Sequence, residues 1–278
     1  MYEFRETEVS ESHIIRLSEL LTLVFGKKQE HGTSYLKWQY QENPYGTALG
    51  FDAFYEGQLA AHYVTIPIKA ILNGNEARGL LSLNTATHPD HRSKGLFTAL
   101  AEKTYVRAKE SGYEFVVGVA NGNSTHGFTR KLGFDLVTPL SAKIGLGNPS
   151  VERKSHVKFK LLWDKDGIFW RLRRPGAVYS MDKNHNVYGA TKIAGIHAYL
   201  GPHMKLAPDS SLPHLKAVNP LRLWIKAGDD ESLNPCYVRI PDFLKPSPLN
   251  LIFRSLTQPS YKLEPSDVEF YLSDFDAY

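Results

Sequence analysis

Only one cysteine, Cys236, occurs in the 278 residues. No internal disulfide can form and no cysteine-based metal site exists, so no metal is expected. Long apolar runs are missing as well. None approaches the ~20 residues that span a bilayer, and no membrane span is expected. The opening residues, MYEFRETEVS, have neither the basic start nor the apolar middle of a secretory signal. These absences together point to a reducing, cytoplasmic setting. Basic runs are short, and neither zinc-finger nor RNA-binding signatures occur, so no nucleic-acid partner is expected. The two glycine-rich phosphate signatures, Gly-x-x-x-x-Gly-Lys-Ser/Thr and Gly-x-Gly-x-x-Gly, are also absent.

What is present is ordinary for a globular protein: 42% hydrophobic and 22% charged residues. The length suits one large domain or two of common size. The net charge of +4 is unevenly placed. Residues 1–150 balance 15 basic against 15 acidic side chains, whereas residues 151–278 hold 18 against 14. The excess is densest at Arg171, Arg173 and Arg174. These arginines either decorate a helix end, where cations favour the dipole, or greet an anionic acceptor.

The chain opens with two helices, at 12–25 and 33–42, the first with Ile14, Leu17, Leu21 and Val24 on one stripe. Strands follow at 49–56, 59–71 and 78–87, split by Glu56-Gly57-Gln58 and Asn73-Gly74-Asn75. Pro67 implies a bulge or an edge position. A helix at 95–110 and a buried strand at 113–120 complete a right-handed strand–helix–strand unit with parallel strands. Asn121-Gly122-Asn123 then turns the chain, and Ser124 is placed to cap a short helix ending at Gly133. Residues 145–158 read as a linker. Beyond it the spacing predicts a helix at 167–176, strands at 178–183 and 187–200, a helix at 210–217, a strand at 221–227, a helix at 248–256 and a strand at 267–275. GIFWRLRRPG near 170 parallels YLKWQYQENPYG near 38, which suggests a diverged duplication.

The chemistry concentrates in THPDHRSKGLFTAL, residues 87–100. A strand, a tight turn and a helix start expose backbone N–H groups with no intrahelical partner. The helix dipole adds positive charge there, which makes an anion site suited to phosphate. Gly95 admits close approach, and Arg92 and Lys94 add charge.

This stretch resembles the acetyl-coenzyme A loop of the GNAT N-acetyltransferases, Arg/Gln-x-x-Gly-x-Gly/Ala, standing here as Arg92-Ser93-Lys94-Gly95-Leu96-Phe97. The downstream order is similar too: helix, buried strand, Asn121 and Asn123, then FTRKLGF at 128–134. The resemblance covers residues 1–140. It implies an α/β GNAT fold, a mixed and mostly antiparallel sheet with a splayed parallel strand pair. A second, degenerate GNAT-like lobe is expected after it, with domains at 1–145 and 155–278. It also implies acetyl-CoA as cosubstrate. Thr85, Ala86 and Thr87 would lend backbone hydrogen bonds to its pantothenate arm. The pyrophosphate would sit on Arg92, Ser93, Lys94, Gly95, Leu96, Phe97 and Thr98. Asn123, Ser124 and Phe128 would border the cofactor.

The implied reaction is acetyl transfer to a primary amine of a small molecule, an amino sugar if the basic half selects an anion. Two departures matter. Phe97 stands where the family places Gly or Ala, and the ring is expected to turn into the core. Thr129 stands where many members carry an acidic tyrosine. Asn84, His126 and Thr129 are the candidates for catalysis, with His62 another nearby imidazole. Two rival readings are a non-catalytic CoA-binding module and a protein using a different acyl donor, such as an aminoacyl-tRNA. A monomer or homodimer is expected.

Overall fold

The computed structural model describes residues 1–26, 31–147, 156–204, 221–228, 236–245 and 247–275. Helix α1 (Glu11–Phe25) buries Ile14, Leu17, Leu20 and Leu21 on its inner stripe and stops at Gly26. Helix α2 (Thr33–Tyr40) is nearly surrounded by other elements, with Tyr35, Leu36, Trp38, Gln39 and Tyr40 buried. Strands β2 (Leu49–Tyr55), β3 (Gln58–Leu72) and β4 (Asn75–Thr87) form the expected antiparallel meander. Strand β1 (Glu3–Glu6) adds antiparallel to β2. Pairing of β2 with β3 ends at Thr65, and that of β7 (Phe159–Leu161) with β3 begins at Ala70. Pro67 lies in the gap between them, where a strand can spare an N–H.

Helix α3 (Leu96–Glu110) lays Leu96, Leu100, Ala101, Thr104, Tyr105 and Ala108 on the sheet. Strand β5 (Phe115–Ala120) returns parallel to β4. Helix α4 (Gly122–Lys131) and strand β6 (Asp135–Leu146) follow. The cap of α4 is Asn121, not Ser124: the Asn121 side chain accepts from the N–H groups of Asn123 and Ser124, and Ser124 answers it in a capping box.

The segment expected as a helix at 248–256 is instead strand β13 (Asn250–Ser255), lying antiparallel between β5 and β6. Its neighbours decide the matter. That slot supplies backbone partners on both sides and apolar layers on both faces. Leu251 and Phe253 join one buried cluster while Ile252 joins the other. Three consecutive buried residues of this kind are compatible with helix or strand by pattern alone.

The second half contributes α5 (Lys165–Leu172), β8 (Tyr179–Met181), β9 (Val187–Ala190), β10 (Ile196–Tyr199), β11 (Leu221–Ala227), β12 (Tyr237–Arg239) and β14 (Val268–Glu269). The single strand expected at 187–200 is split into β9 and β10, which pair antiparallel around the turn at 191–195. The strand expected at 267–275 shortens to β14 followed by a 3-10 turn at Leu272–Asp274. The helix expected at 210–217 lies outside the described residues. Strand β11 pairs antiparallel with β6, and β10 pairs parallel with β11. The fourteen strands among the described residues belong to one mixed sheet, ordered β1-β2-β3-β4-β5-β13-β6-β11-β10-β9-β8 along its main path. The segments 1–145 and 155–278 therefore share that sheet. Among the described residues, no helix is long and apolar enough to cross a membrane.

Helices α2 and α5 meet through their tryptophans. The indoles of Trp38 and Trp170 stack at 4.6 Å and 13°. Each Nε1–H donates to the other residue's backbone carbonyl, both at 2.9 Å.

Candidate active site

Strands β4 and β5 pair only over Gly79–Ser82 and Phe115–Gly118, yet they continue to Thr87 and Ala120. Beyond Ser82 the two strands have parted, leaving a gap lined by backbone. A bulge marks the parting: β3 runs from His62 to Val64 while β4 runs from Ala86 back to Leu83. Asn84, in this bulge, has φ 47°, the left-handed region that asparagine tolerates better than most.

The gap opens onto the loop at 88–95. A 3-10 turn (Pro89–His91) leads to exposed Arg92, Ser93, Lys94 and Gly95. Gly95 caps α3 with φ 74°, and no side chain caps the helix. A Cβ built on Gly95 meets nothing within 4 Å, so the approach to the helix end is open. The first intrahelical bond runs from the Ala99 N–H to the Gly95 carbonyl at 3.1 Å. The N–H groups of Leu96, Phe97 and Thr98 thus precede the helix ladder and point out of the positive end.

Phe97 turns inward, as expected. Its ring meets Phe128 edge-on at 5.2 Å and Tyr63 at 6.0 Å. The mouth of the loop is left clear for an anion. Phe128 is itself buried in that cluster, facing Phe97 and Phe134. Leu96 is buried too and can offer a ligand only its N–H. Thr85 and Thr87 are half-buried and Ala86 is buried. Asn123 and His126 are exposed, whereas the Ser124 hydroxyl is engaged with Asn121. The Thr129 hydroxyl donates to the Thr125 carbonyl at 3.0 Å, one helical turn back. Its proton is thereby turned away from any leaving group.

The basic cluster is placed otherwise than an anion-greeting surface requires. Arg171 and Arg174 are buried, with Arg171 donating to the Phe275 carbonyl at 2.8 Å. Their guanidinium groups lie over the rings of Trp38 and Tyr35. The α2 aromatics cover them, and of the three only Arg173 is exposed.

Asn84 leads to a buried polar chain. Its amide donates to Gln39 Oε1 at 2.6 Å and to Tyr40 Oη at 3.0 Å. Tyr40 Oη lies 3.1 Å from His62 Nε2. His62 Nδ1 lies 2.6 Å from Asp52 Oδ1, and Asp52 Oδ2 lies 2.7 Å from His13 Nε2. Burial pushes the Asp52 carboxyl up, but its electrostatic interaction with His62 and the hydrogen bonds from both imidazoles outweigh it and hold the group below its usual range. Burial drives Tyr40 far above the usual phenol range. His31, beside Asn84, is held below its usual range by burial, against a hydrogen bond with Asn84 that raises it.

Of this chain, the sequence singled out Asn84 and His62 and missed Asp52 and His13; Tyr40 had read as core. The available signal was a lone carboxylate inside the apolar strand LGFDAFY. An acid at an inward strand position needs a buried partner.

A strand gap leading to an uncapped, glycine-started helix offers unpaired N–H groups suited to an anion. Residues 5–137 match the acetyltransferase (GNAT) domain family, and this part of the chain is a GNAT domain. The whole architecture is similar to solved structures. A protein from Enterococcus faecalis described as a probable N-acyltransferase aligns with a TM-score of 0.62 at 9% identity, covering 92% of this chain and 73% of that one. A GCN5-related N-acetyltransferase from Anabaena variabilis aligns with a TM-score of 0.61 at 14% identity, covering 91% and 73%. Eis1 from Mycobacterium abscessus aligns at 0.56 and 9% identity, covering 92% and 74%. No curated protein matches the sequence. These likenesses establish a GNAT fold extending beyond the matched domain.

Proposed function

We propose that this protein transfers an acetyl group from acetyl-CoA to a primary amine of a small molecule, in the cytoplasm. The observation that carries this reading is the parted β4–β5 pair opening onto the Gly95 helix end. The strand edge suits an amide-rich arm, and the helix end suits a pyrophosphate. In the reaction, the amine nitrogen attacks the thioester carbonyl, a C–N bond forms, and the C–S bond breaks with the thiolate leaving. A backbone N–H at the β4 edge is suited to steady the carbonyl oxygen as it gains charge. With Arg171 and Arg174 buried, the charge argument for an anionic acceptor such as an amino sugar rests on Arg173 alone.

Two substitutions test the reading. Gly95→Asp sets a carboxylate at the expected pyrophosphate seat and is expected to weaken CoA binding at least tenfold, ~1.4 kcal/mol. Gly95→Asn serves as the control, because asparagine accepts the left-handed backbone without adding charge. Equal calorimetric affinities for the parent and a folded Gly95→Asp variant refute the assignment. Thr129→Ala is expected to leave turnover within a few-fold, since that hydroxyl is spent on Thr125. A hundredfold loss, the scale of a deleted general acid, assigns Thr129 the role denied here.

A further inference from the structure

Three titratable side chains in line, all fully buried, are an unusual content for a sheet–helix interface. Tyr40, His62 and Asp52 each have 0% exposure, and His13, at the end of the line, has 7%. Apolar side chains of similar volume stabilise such a place as well or better. The line starts at the bulge residue Asn84, where β4 leaves β5. We propose that Tyr40, His62 and Asp52 are the proton-accepting chain of the acyl transfer, a reading that rests on the activity proposed above.

The hydrogen bonds allow a chain directed inward from Tyr40. An amide nitrogen donates and cannot accept, so Asn84 Nδ2–H occupies one lone pair of Tyr40 Oη. The hydroxyl proton of Tyr40 is then free to point at His62 Nε2, which in the proposed chain is the unprotonated nitrogen. His62 Nδ1–H in turn donates to Asp52 Oδ1. Asp52 is kept ionised by the two imidazoles. This is the order of a hydroxyl–imidazole–carboxylate triad, in which the hydroxyl gives its proton to the imidazole and the carboxylate stabilises the imidazolium without taking the proton. The second lone pair of Tyr40 Oη is the inlet; Tyr40 is covered in this structure, and half-buried Asn84 beside it marks the side from which a proton enters. Asn84 does not carry the proton; it is a positioning residue that orients Tyr40.

The step balances. As the acceptor nitrogen bonds to the thioester carbon, its proton passes to Tyr40 Oη and the proton of Tyr40 passes to His62 Nε2. The imidazolium faces the Asp52 carboxylate. The C–S bond breaks, and the thiolate leaves with the electron pair and takes a proton from solvent. The chain resets when His62 Nε2 returns its proton through Tyr40 Oη to solvent after the product leaves; His13, beyond Asp52, borders a polar surface dent with Arg5, Glu6, Glu8, Ser10 and Arg16. The titratable groups facing the chain are therefore His13 from α1, Tyr40 from α2, Asp52 from β2 and His62 from β3. His31 lies beside Asn84, and the dent residues sit at the outer end.

Thiol release from acetyl-CoA, at saturating cosubstrate and over a panel of primary amines, tests the chain. Tyr40→Phe is expected to lower kcat about a hundredfold and to leave the KM for acetyl-CoA unchanged. The loss is expected to narrow as pH rises, because hydroxide then takes the proton of the attacking nitrogen in the chain's place. A loss within threefold, or one that is equal at every pH, overturns the chain. A parent protein that binds CoA but releases no thiol with any amine overturns the proposed activity, and the chain with it. A second measurement needs no variant. The ¹⁵N spectrum of the parent's histidines is expected to show His62 protonated on Nδ1 and bare on Nε2. The opposite tautomer overturns the chain.

Discussion

A chain ending at residue 147 is expected not to fold. It retains every helix and strand of the matched domain but lacks β13, which fills the slot between β5 and β6. Strands β5 and β6 do not pair with each other, so removing β13 exposes two facing rows of unpaired backbone groups. It also removes Leu251, Ile252 and Phe253, all essentially fully buried. At roughly 1.5–3 kcal/mol for each buried side chain, the apolar part alone approaches the ~5–15 kcal/mol that holds a typical domain together. The exposed edges are further expected to promote aggregation. Residues 1–147 joined through a flexible linker to residues 247–258 are expected to regain a dispersed amide spectrum. A cooperative urea transition in 1–147 alone contradicts the role given to β13.

Asp52→Ala is expected to destabilise the protein by about 3–5 kcal/mol, the usual consequence of removing one partner from a buried charged pair. The substitution leaves His13 Nε2 and His62 Nδ1 facing an empty site in the core. The pH dependence has a definite sign. A carboxyl held below its ordinary value of 3.8 contributes stability that is present above that value. The contribution is lost as pH falls through the lower, folded-state value. The gap between parent and variant in urea midpoints is therefore expected to be full near neutrality and to shrink below about pH 4. A gap that widens on acidification reverses the assignment. Tyr40→Phe leaves both imidazoles paired with Asp52 and is expected to cost far less stability, which separates the structural part of the chain from its chemical part.

Much of the first half was legible in the sequence because its signals are local. Gly57, Gly74, Gly95 and Gly112 each stand at a turn or cap with positive φ, and the apolar period changes between them. The anion loop could be read because its chemistry is contained in a few consecutive residues. Strand β13 could not, since its partners lie more than a hundred residues away in the chain. The same holds for the buried chain, whose four members come from α1, α2, β2 and β3 and meet only in space. The arginines near 171 misled for a related reason. A basic run beside a helix-stopping proline reads as surface, yet the α2 rings that cover Arg171 and Arg174 come from far upstream. Phe97 shows the opposite case: its place on the apolar stripe of α3 was enough to foresee its inward turn.

The exchange between Trp38 and Trp170 has the form of an isologous contact, the kind that identical subunits make across a two-fold axis. Each residue does to its counterpart what the counterpart does to it, stacking and donating to the other's carbonyl. The sequences around the two tryptophans are themselves parallel. Within one chain, this single contact has the reciprocity of a two-fold interface. The paired indoles also provide an optical signature of the join. Packed this closely, they are expected to couple in the near-ultraviolet circular dichroism, and either Trp38→Phe or Trp170→Phe is expected to abolish the whole coupled signal rather than half of it.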